Sequence, residues 1–433
     1  MHSVSLISLG CPKNLVDSEV ILGKLIEKGF LISEEPKGSD ILIINTCGFI
    51  KPAVEESYKE IKRAIRWKRE EEIKKIFVVG CLVQRLGKFL KREFPEIDGF
   101  FGIDFARDVN LQIKGIKFEK EPRWLPCSKD PRLLSTFPYA YLKIADGCDN
   151  FCSYCTLPEI KGRYRSREME DIWDEAKRLR DSGIKELILI AQDTTLYGKD
   201  IYGKLKLPEL LNGLSKIEGI EWLRLLYTYP GHYTKELLDI IKDEPKIVKY
   251  VDIPLQHISD KLLKRMNRHY RRRDIEELLS RLKEMGIAVR TTFIVGFPGE
   301  EEKDFLELMR FIEDWRFENL GCFEYYREKG TPAYRFKEQI PGRIKTQRRS
   351  MLLKRQREIS LGIRRGFIGE EMEVLIEGFS VEGGHRYMGR TYLDAPEIDG
   401  ITYVKAKDKK IGEFLRVKIT ETTEYDLYGY AIP

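Results

Sequence analysis

The stretch YAYLKIADGCDNFCSYC, residues 139–155, joins a strand-like segment to a group of cysteines. Tyr139 to Ala145 form a mostly apolar run of strand length. Directly after this run, Cys148, Cys152 and Cys155 stand in a C-x3-C-x2-C spacing. Three thiolates on one tight loop can ligate three irons of a [4Fe–4S] cube, which leaves the fourth iron open. An open iron position indicates catalysis rather than plain electron storage.

A structural zinc site and three unrelated buried thiols are the alternatives to a cluster on this loop. A structural zinc site would need a fourth Cys or His nearby, and residues 156–185 contain neither. Unrelated thiols would have this spacing only by chance. We predict an iron–sulfur cluster on this loop.

Length and composition favour a soluble protein of several domains. The chain has 433 residues, and single hydrophobic cores rarely grow past about 250–300 residues. Hydrophobic residues make up 42% and charged residues 34% of the chain, which argues against disorder. The longest apolar runs are far below the roughly 18–20 residues of a membrane span, and residues 1–10 lack the features of a signal peptide. We therefore expect a cytoplasmic protein that does not associate with membranes.

The location bears on the eight cysteines. Disulfides are rare in a reducing cytoplasm, so metal or redox roles are the better interpretation. The formal net charge of +6 is modest for this length, whereas proteins that grip nucleic acid are usually more basic. Charge alone therefore leaves the partner open.

The order of apolar and amphipathic segments predicts three domains and a linker. Residues 1–118 alternate strands and helices, which is typical of a parallel α/β sheet. Residues 119–137 are rich in proline and form the linker. Residues 138–366 contain six strand and helix units, which predicts a partial (βα)6 TIM-like barrel with its site at the carboxyl ends of the strands. Residues 367–433 have the short alternating runs of a small antiparallel β-barrel. The predicted strands are 4–9, 41–44, 76–79, 139–145, 186–191, 222–227, 250–254, 288–295, 320–325, 373–376, 387–392, 402–405 and 414–420, and the main predicted helices are 17–28, 54–70, 169–182, 274–286 and 343–365.

A second set of cysteines follows the first three predicted strands. Cys11, Cys47 and Cys81 each come just after one of them. The carboxyl ends of parallel strands lie along one edge of a sheet, so these thiols should converge. A glycine beside each cysteine lets the backbone approach a bulky group or adopt a positive φ. The flanking glycines are Gly10, Gly48 and Gly80. We predict a second cluster here, with three small buried residues at strand ends as the alternative.

The first cysteine set, with the aromatic Tyr154 before its last cysteine, resembles the radical S-adenosylmethionine superfamily. The resemblance implies that the open iron binds the amino and carboxylate groups of S-adenosylmethionine and that Tyr154 lies beside the adenine. It also implies reductive cleavage of this cofactor to a 5′-deoxyadenosyl radical, which abstracts hydrogen from an unactivated carbon.

The order of the domains is similar to that of the methylthiotransferase family over nearly the whole chain. In that family the terminal module is a TRAM domain, and the second cluster holds the sulfur that is methylated and inserted. Its three ligands match Cys11, Cys47 and Cys81. The resemblance implies two [4Fe–4S] clusters and two molecules of S-adenosylmethionine, one as methyl donor and one as radical source. Cys127 and Cys322 match nothing in this scheme, and we interpret them as a linker thiol and a core residue of the sixth barrel strand.

Three further stretches resemble the branch of the family that acts on a ribosomal protein. They are SLGCPKNLVDSE at 8–19, QDTTLYG at 192–198 and PLQH at 254–257. The resemblance implies methylthiolation at the β-carbon of an aspartate of ribosomal protein S-twelve of the small subunit. It also implies a sulfur donor and a reducing partner such as flavodoxin or ferredoxin. A transfer RNA adenosine methylthiotransferase and a non-catalytic iron–sulfur protein of RNA binding or ribosome assembly are the alternatives.

The charge of the terminal domain agrees with a protein client. Residues 367–433 contain thirteen Asp and Glu against eight Lys and Arg. RNA-binding barrels normally present a basic surface with aromatic side chains, whereas an acidic barrel would attract a basic protein. The alternative is that these acids only keep a small domain soluble.

Polar residues after other barrel strands are candidate cofactor contacts. Gln192 and Asp193 follow the second strand, where the family holds the amino end of S-adenosylmethionine, although Asp193 could instead cap a helix. Gln256 and His257 follow the fourth strand and could contact ribose or carboxylate, unless His257 is only a satisfied buried residue. Gly296 lets the backbone pass close to adenine, or it only forms a turn.

Two sets of arginines also have a functional and a structural interpretation. Arg163, Arg165 and Arg167 alternate, so on an extended chain they share one face. They could hold the cofactor carboxylate or an anionic substrate, or form a solvated rim. The arginines of the predicted helix 343–365 could meet ribosomal RNA, or belong to a charged surface helix. These are Arg348, Arg349, Arg355, Arg357, Arg364 and Arg365.

Overall fold

The structure, a computed structural model, describes residues 2–112 and 115–433. The elements of its first part are β1 (Ser3–Ser8), α1 (Pro12–Glu27), β2 (Leu31–Ile32), β3 (Ile41–Thr46), α2 (Lys51–Arg69), β4 (Lys75–Gly80), α3 (Cys81–Glu93), β5 (Gly99–Phe101) and β6 (Gly115–Lys117). The strands form a parallel sheet in the order β2-β1-β3-β4-β5-β6. The predicted parallel α/β sheet is therefore confirmed.

Helices cover both faces of this first sheet. β3 is buried along its whole length, as expected for a parallel strand between two helical layers. Ile41 and Ile43 pack with Val20 of α1, whereas Leu42 packs with Ile61 of α2. The prediction missed β2, β5 and β6 because strands of two or three residues are too short to show an apolar period.

The second part contains a parallel sheet of six strands, β7 and β10 to β14, with helices on one side. Its elements are β7 (Tyr139–Lys143), β8 (Ala145–Asp146), α4 (Leu157–Lys161), β9 (Arg165–Ser166), α5 (Met169–Asp181), β10 (Glu186–Ile190), α6 (Leu207–Ser215), β11 (Trp222–Leu225), α7 (Lys235–Asp243), β12 (Ile247–Gln256), α8 (Asp260–Arg265), α9 (Arg272–Glu284), β13 (Ala288–Val295), α10 (Glu302–Trp315), β14 (Asn319–Glu324) and α11 (Gly342–Arg365). The strand order is β14-β13-β12-β11-β10-β7. The six predicted strands and their order along the chain are confirmed.

The third part is a closed barrel, as predicted. Its strands are β15 (Glu371–Phe379), β16 (Tyr387–Arg390), β17 (Thr402–Lys405), β18 (Phe414–Thr422) and β19 (Leu427–Ala431). They pair in the order β15-β16-β17-β19-β18. β19 was not predicted, and it closes the barrel by pairing in parallel with β17 and antiparallel with β18.

The second sheet, β14-β13-β12-β11-β10-β7, packs against a different partner on each of its two faces. Leu187 and Leu189 of β10 belong to the core between the sheet and its helices. Ile188 and Ile190 point to the opposite face and share a core with residues of the terminal barrel such as Val404. The terminal barrel therefore covers the face of the sheet that has no helices.

Part of the acidity of the terminal barrel serves this contact. Asp399 pairs with Arg290 of β13 at 3.1 Å, and Asp394 pairs with Arg364 of α11 at 2.6 Å. Both carboxylates are almost fully buried. These acids join the domains, so the prediction that the acidic excess attracts a basic client was wrong for these residues.

Two arginines of α11 are also buried, contrary to both interpretations of this helix. Arg348 is 6% exposed and pairs with Glu300 at 3.3 Å. Arg364 is 3% exposed and pairs with Asp394. Arg355 stays exposed, as expected of a surface helix. Arg348 therefore fixes the helix to Glu300, and Arg364 fixes the helix to the terminal barrel.

Within residues 2–112 and 115–433, no helix is long and apolar enough to span a bilayer.

Candidate active site

The first cysteine set lies on the loop between β8 and α4. Cys148 and Cys152 are buried and Cys155 is half-buried. Burial raises the pKa of Cys148 to about 12, and the neighbouring thiol of Cys152 adds to this shift. Burial and the other two thiols also raise the pKa of Cys155 above its usual value. The C-x3-C-x2-C spacing keeps the three thiols on one short loop, and buried thiolates need positive charge nearby.

The loop turns at a position that only glycine can occupy without strain. Gly147 has a φ of +82°, and a Cβ there would lie 2.0 Å from the carbonyl oxygen of Arg163. The next amide, that of Cys148, donates to the carbonyl of Gly162 at 3.2 Å. The loop is thus held against the chain that follows α4.

Residues 265–268, at the carboxyl end of α8, hold the other side of the loop. The amide and the hydroxyl of Ser153 donate to carbonyl groups of this segment at 2.9 and 2.7 Å. Asn267 has a φ of +57° and donates from Nδ2 to the carbonyl of Phe151 at 2.9 Å. The cysteine loop is therefore fixed from two sides of the barrel.

The second cysteine set lies at the carboxyl edge of the first sheet. Cys11, Cys47 and Cys81 follow β1, β3 and β4, which are neighbours in the sheet. A Cβ on Gly10 would lie only 3.1 Å from Cys47 Sγ, so the backbone beside Cys11 passes close to Cys47. The structure thus brings together three cysteines that are well separated in sequence.

The electrostatics of this second set resemble those of the first. Burial raises the pKa of Cys47 to about 11, and the Cys11 thiol adds to the shift. Burial likewise raises the pKa of Cys81 to about 12, while Lys161 opposes the shift. Lys161 is the last residue of α4, which follows the first cysteine loop. The preceding residue, Ile160, packs with Cys81, so the end of α4 lies against the second cysteine set.

Direct contacts also join the two sets. Thr156, next to Cys155, donates its hydroxyl to the carbonyl of Phe49 at 2.8 Å. Phe49 lies two residues after Cys47. The loops that carry the two sets consequently face each other across the interface between the two sheets.

Buried lysines and aspartates lie beside this interface. Lys161 pairs with Asp146 at 3.3 Å and with Asp17 at 3.6 Å, and Lys143 pairs with the same two carboxylates. Burial lowers the pKa of Lys161, but Asp146 and then the Cys81 thiol outweigh it, so that the pKa lies well above its usual value. These cations supply positive charge next to the second cysteine set.

The donor chemistry of both sets suits iron–sulfur clusters. In the part of the chain that the structure describes, no three His, Cys, Asp or Glu side chains are grouped as ligands of a single metal ion. A [4Fe–4S] cube differs from a single ion because each thiolate binds a separate iron atom. Three neighbouring thiols in each set, two of them buried and one half-buried, fit that requirement.

Family profiles match all three parts of the chain. The profile described as Radical SAM superfamily matches residues 142–312. The profile described as Uncharacterized protein family UPF0004 matches residues 3–102, and the TRAM domain matches residues 368–432. A radical SAM domain works with an iron–sulfur cluster and S-adenosylmethionine.

Proteins named ribosomal protein uS12 methylthiotransferase RimO are similar to this chain over almost its full length. The protein of Carboxydothermus hydrogenoformans is 48% identical, with 98% of each chain covered. That of Caldanaerobacter subterraneus is 49% identical over 99% of this chain and 100% of its own. That of Aquifex aeolicus is 45% identical over 98% of this chain and 96% of its own. The chain belongs to the RimO family.

Solved structures with a similar fold are more distant relatives of this RimO family member. The radical S-adenosylmethionine methyltransferase TsrM from Kitasatospora setae has a TM-score of 0.56 at 16% identity, with 88% of this chain and 81% of its own covered. The cobalamin-dependent S-adenosylmethionine radical enzyme OxsB has a TM-score of 0.51 at 13% identity, with 82% and 56% covered. At these identities the likeness concerns the fold alone.

Two of the predicted cofactor contacts lie beside the first cysteine set. Tyr154 is half-buried, and its ring meets Phe297 edge-on with centroids 6.3 Å apart. Gln192 donates from Nε2 to Asp146 at 2.6 Å, while its buried Oε1 has no hydrogen-bond partner in the described part of the chain. An unpaired buried oxygen is costly, so this amide is the predicted contact with the clearest need for a donor.

Asp193 has two structural tasks. Its Oδ1 accepts from the backbone amide of Leu196 at 3.2 Å and caps a short helical turn, so the capping alternative is confirmed. Its Oδ2 accepts from Nδ2 of Asn150 at 2.9 Å and contacts the His232 ring at 3.0 Å. Asp193 thereby also anchors the cysteine loop.

Gln256 and His257 differ in their surroundings. Gln256 is half-buried at the end of β12 with a φ of +70°. His257 is fully buried, and its Nδ1 accepts the amides of Ile258 and Ser259 at 2.9 and 3.0 Å. Burial lowers the pKa of His257 to about 4. Its buried Nε2 has no hydrogen-bond partner among the residues that the structure describes, so His257 is only in part the satisfied buried residue of the structural alternative.

Gly296 forms the turn after β13. Its φ is +72°, and a Cβ there would lie 2.3 Å from Cγ of Lys345 on α11. Its amide donates to the Glu300 carboxylate. The close approach that requires glycine here is to a side chain of α11.

The arginines after the first loop do not share one face. Arg163 is exposed, with its Nε 3.1 Å from Asp149. Arg167 is buried and pairs with Asp171 at 2.6 Å and with Glu175. The alternative of a solvated rim is therefore wrong for Arg167, whose charge is held in the interior by these two carboxylates.

The two remaining cysteines lie where the sequence predicted them. Cys127 is exposed in the linker region. Cys322 is buried within β14, the sixth strand of the sheet. Neither belongs to a cysteine set.

Sequence reasoning missed Arg268. Its guanidinium Nη1 lies 3.6 Å from Cys152 Sγ. The two residues are separated by 116 positions, so no local spacing pattern could connect them. The run of basic residues around Arg268 is typical of an ordinary charged surface.

Proposed function

We propose that this chain is a radical SAM methylthiotransferase that modifies small-subunit ribosomal protein uS12. The proposal is carried by one observation: relatives at 45–49% identity over nearly the whole chain bear this name. The facing cysteine sets support it, because radical formation and sulfur insertion need two reactive centres near each other. An aspartate β-carbon is the target that we expect.

We propose two [4Fe–4S] clusters, one on each cysteine set. Cys148, Cys152 and Cys155 would hold the cluster that binds S-adenosylmethionine at its open iron. When bound, the cluster and S-adenosylmethionine together supply the radical that removes hydrogen from an unactivated carbon. The second cluster, on the set at the edge of the first sheet, would supply the sulfur.

The protein's own residues would bind and orient these groups. We assign Tyr154 to the adenine side of the cofactor and the unpaired Gln192 oxygen to a donor such as its ammonium group. Gln256, Arg163 and Gly296 stay candidate contacts at the carboxyl ends of the barrel strands. Asp193 would act by holding the cysteine loop in place.

The partners and the division of labour are also proposals. Residues 1–118 would carry the sulfur-donating cluster, 138–366 the radical cluster, and 367–433 would help to dock the client, with 119–137 as the linker. A low-potential carrier such as flavodoxin or ferredoxin and a separate sulfur donor would complete the reaction in the cytoplasm, where uS12 is made.

Anaerobic assay of the full chain tests this proposal. The protein, reconstituted with iron and sulfide, is incubated with S-adenosylmethionine, dithionite and purified uS12, and tryptic peptides are analysed by mass spectrometry. We expect one peptide with a gained methylthio group on an aspartate. Transfer RNA included as a competing substrate should remain unmodified, and modified adenosine with unmodified uS12 would refute the proposal.

A further inference from the structure

The Arg268 guanidinium is fixed against a cysteine of the first set. Its Nη1 lies 3.6 Å from Cys152 Sγ, which is a hydrogen-bonding distance for sulfur. Its Nη2 donates to the carbonyl of Pro254 at 2.8 Å, and its Nε donates to the hydroxyl of Tyr270 at 2.6 Å. With all three nitrogens engaged, the planar fork has one orientation.

The positive charge of Arg268 has no carboxylate partner. Within residues 2–112 and 115–433, Arg268 forms no ion pair. Instead it lies against two adjacent aromatic rings, 4.3 Å from the Tyr229 centroid and 4.9 Å from that of Tyr270. Rings hold a cation without neutralising its charge. Of the three polar groups that Arg268 contacts, the Cys152 sulfur is the one that carries negative charge when it acts as a metal ligand.

A hydrogen bond to a ligand sulfur changes the energy of an iron–sulfur cluster. The cluster gains one negative charge when it accepts an electron. A fixed cation and an N–H···S contact stabilise that reduced form more than the oxidised form, and hydrogen bonds to the sulfurs are among the known determinants of cluster potential. Such a contact therefore makes the cluster easier to reduce.

We propose that Arg268 is a positioning residue that donates to the Cys152 sulfur and raises the reduction potential of the radical SAM cluster. This inference rests on the proposed ligation by Cys148, Cys152 and Cys155. The electron itself comes from the external reductant, and Arg268 exchanges neither protons nor electrons. Its role is to hold a charge at one sulfur of the cluster.

Redox titration with EPR detection tests this role. The reconstituted full chain is titrated with dithionite, and the signal that changes on addition of S-adenosylmethionine identifies the cluster with the open iron. Arg268→Gln should shift the midpoint of this signal to more negative potential. Arg268→Lys should shift it less, because the ammonium keeps the charge but loses the fork.

The neighbouring Arg265 gives a matched control. Within residues 2–112 and 115–433 its guanidinium has no hydrogen bond to a cysteine; it lies over the Phe336 ring at 5.1 Å and pairs with Glu338 at 2.9 Å. Arg265→Gln should therefore leave the midpoint unchanged.

Three results separate the possible failures. A wild-type midpoint in an Arg268→Gln protein with full iron content would overturn the role of Arg268. If that variant bound less iron, an unchanged midpoint in Arg268→Lys would overturn it instead. A wild-type protein without any signal that responds to S-adenosylmethionine would contradict the proposed cluster itself.

Discussion

Gly147 shows how closely the first cysteine loop is built around single residues. Its positive φ turns the chain out of β8, and the carbonyl of Arg163 lies where a side chain would begin. Gly203 has a similar φ of +71°, but a Cβ there would have no atom of the described residues within 4 Å. Alanine substitutions at these two glycines therefore distinguish the cost of a left-handed backbone from the cost of the contact with the Arg163 carbonyl.

Gly147→Ala should weaken the cysteine loop. Both Gly147→Ala and Gly203→Ala cost about 1–2 kcal/mol for a left-handed backbone, but only the first also forces the Arg163 carbonyl to move. We expect less bound iron and a lower melting temperature for Gly147→Ala than for Gly203→Ala. Equal iron content and equal melting temperatures in the two variants would refute the close approach.

Glu300 is a buried carboxyl beside the turn at Gly296. It is 2% exposed, and burial raises its pKa to about 7 although Arg348 opposes the shift. In the unfolded chain the pKa lies near 4.5. The folded state therefore holds this proton more tightly than the unfolded state does.

The stability of the protein should consequently depend on pH in a defined direction. The contribution of Glu300 is fully present below about pH 4.5 and is lost as pH rises through about 7, a change of up to about 3 kcal/mol. Melting temperatures measured between these pH values should fall more steeply in wild type than in Glu300→Gln. Parallel curves for the two proteins would contradict the buried, protonated state.

At the scale of elements, the sequence predicts features that depend on neighbouring residues and misses contacts between segments that are distant in the chain. The apolar runs of β3, β10 and β13 are long enough to identify, and the spacing of Cys148 to Cys155 reveals a loop. The short β2, β5 and β6 leave no such signal, and the segment 265–268 contacts the cysteine loop across 112–116 residues of sequence. Convergence of Cys11, Cys47 and Cys81 could be predicted because parallel strands end at one edge.

Arg85 of α3 and Glu328 of the loop after β14 form a contact beside the second cysteine set, which we call the latch. Arg85 of α3 donates to the carbonyl of Gly48 at 2.8 Å and pairs with Glu328 at 2.8 Å. Glu328 also accepts the amide of Lys51 at 2.7 Å. Both charged side chains are at most 10% exposed. The latch thus joins the backbone next to Cys47 to the six-stranded sheet.

Breaking the latch should loosen the segment around Cys47. Glu328→Gln leaves the Arg85 charge buried and unpaired, a change that typically costs about 3–5 kcal/mol. We expect faster hydrogen exchange in residues 47–52. Glu313→Gln is the control, because its pair with Arg355 at 2.7 Å is about two-fifths exposed and should contribute only about 0–1 kcal/mol. Equal exchange in the two variants would mean that the latch does not hold this segment.

At the scale of the whole molecule, the second sheet, β14-β13-β12-β11-β10-β7, contacts a different domain on each of two sides. The first domain packs at the carboxyl ends of the strands of this second sheet, where the two cysteine sets face each other. The terminal barrel packs on its helix-free face, where Arg390 of β16 reaches Glu186 of β10 at 2.5 Å. Arg132 of the linker region pairs with Glu19 of α1 and Glu175 of α5 at 2.5 Å each. The linker therefore helps to fix the distance between the two cysteine sets.

Iron content of cysteine variants tests the two-cluster arrangement most directly. After anaerobic reconstitution, the wild-type chain should bind about eight iron atoms, as two [4Fe–4S] clusters require. Cys81→Ala and Cys148→Ala should each fall towards about four, because each removes a ligand from a different set, and Cys127→Ser should match the wild type because its thiol lies outside both sets. Zinc in place of iron, or a Cys81→Ala variant with the full iron content of wild type, would contradict the arrangement.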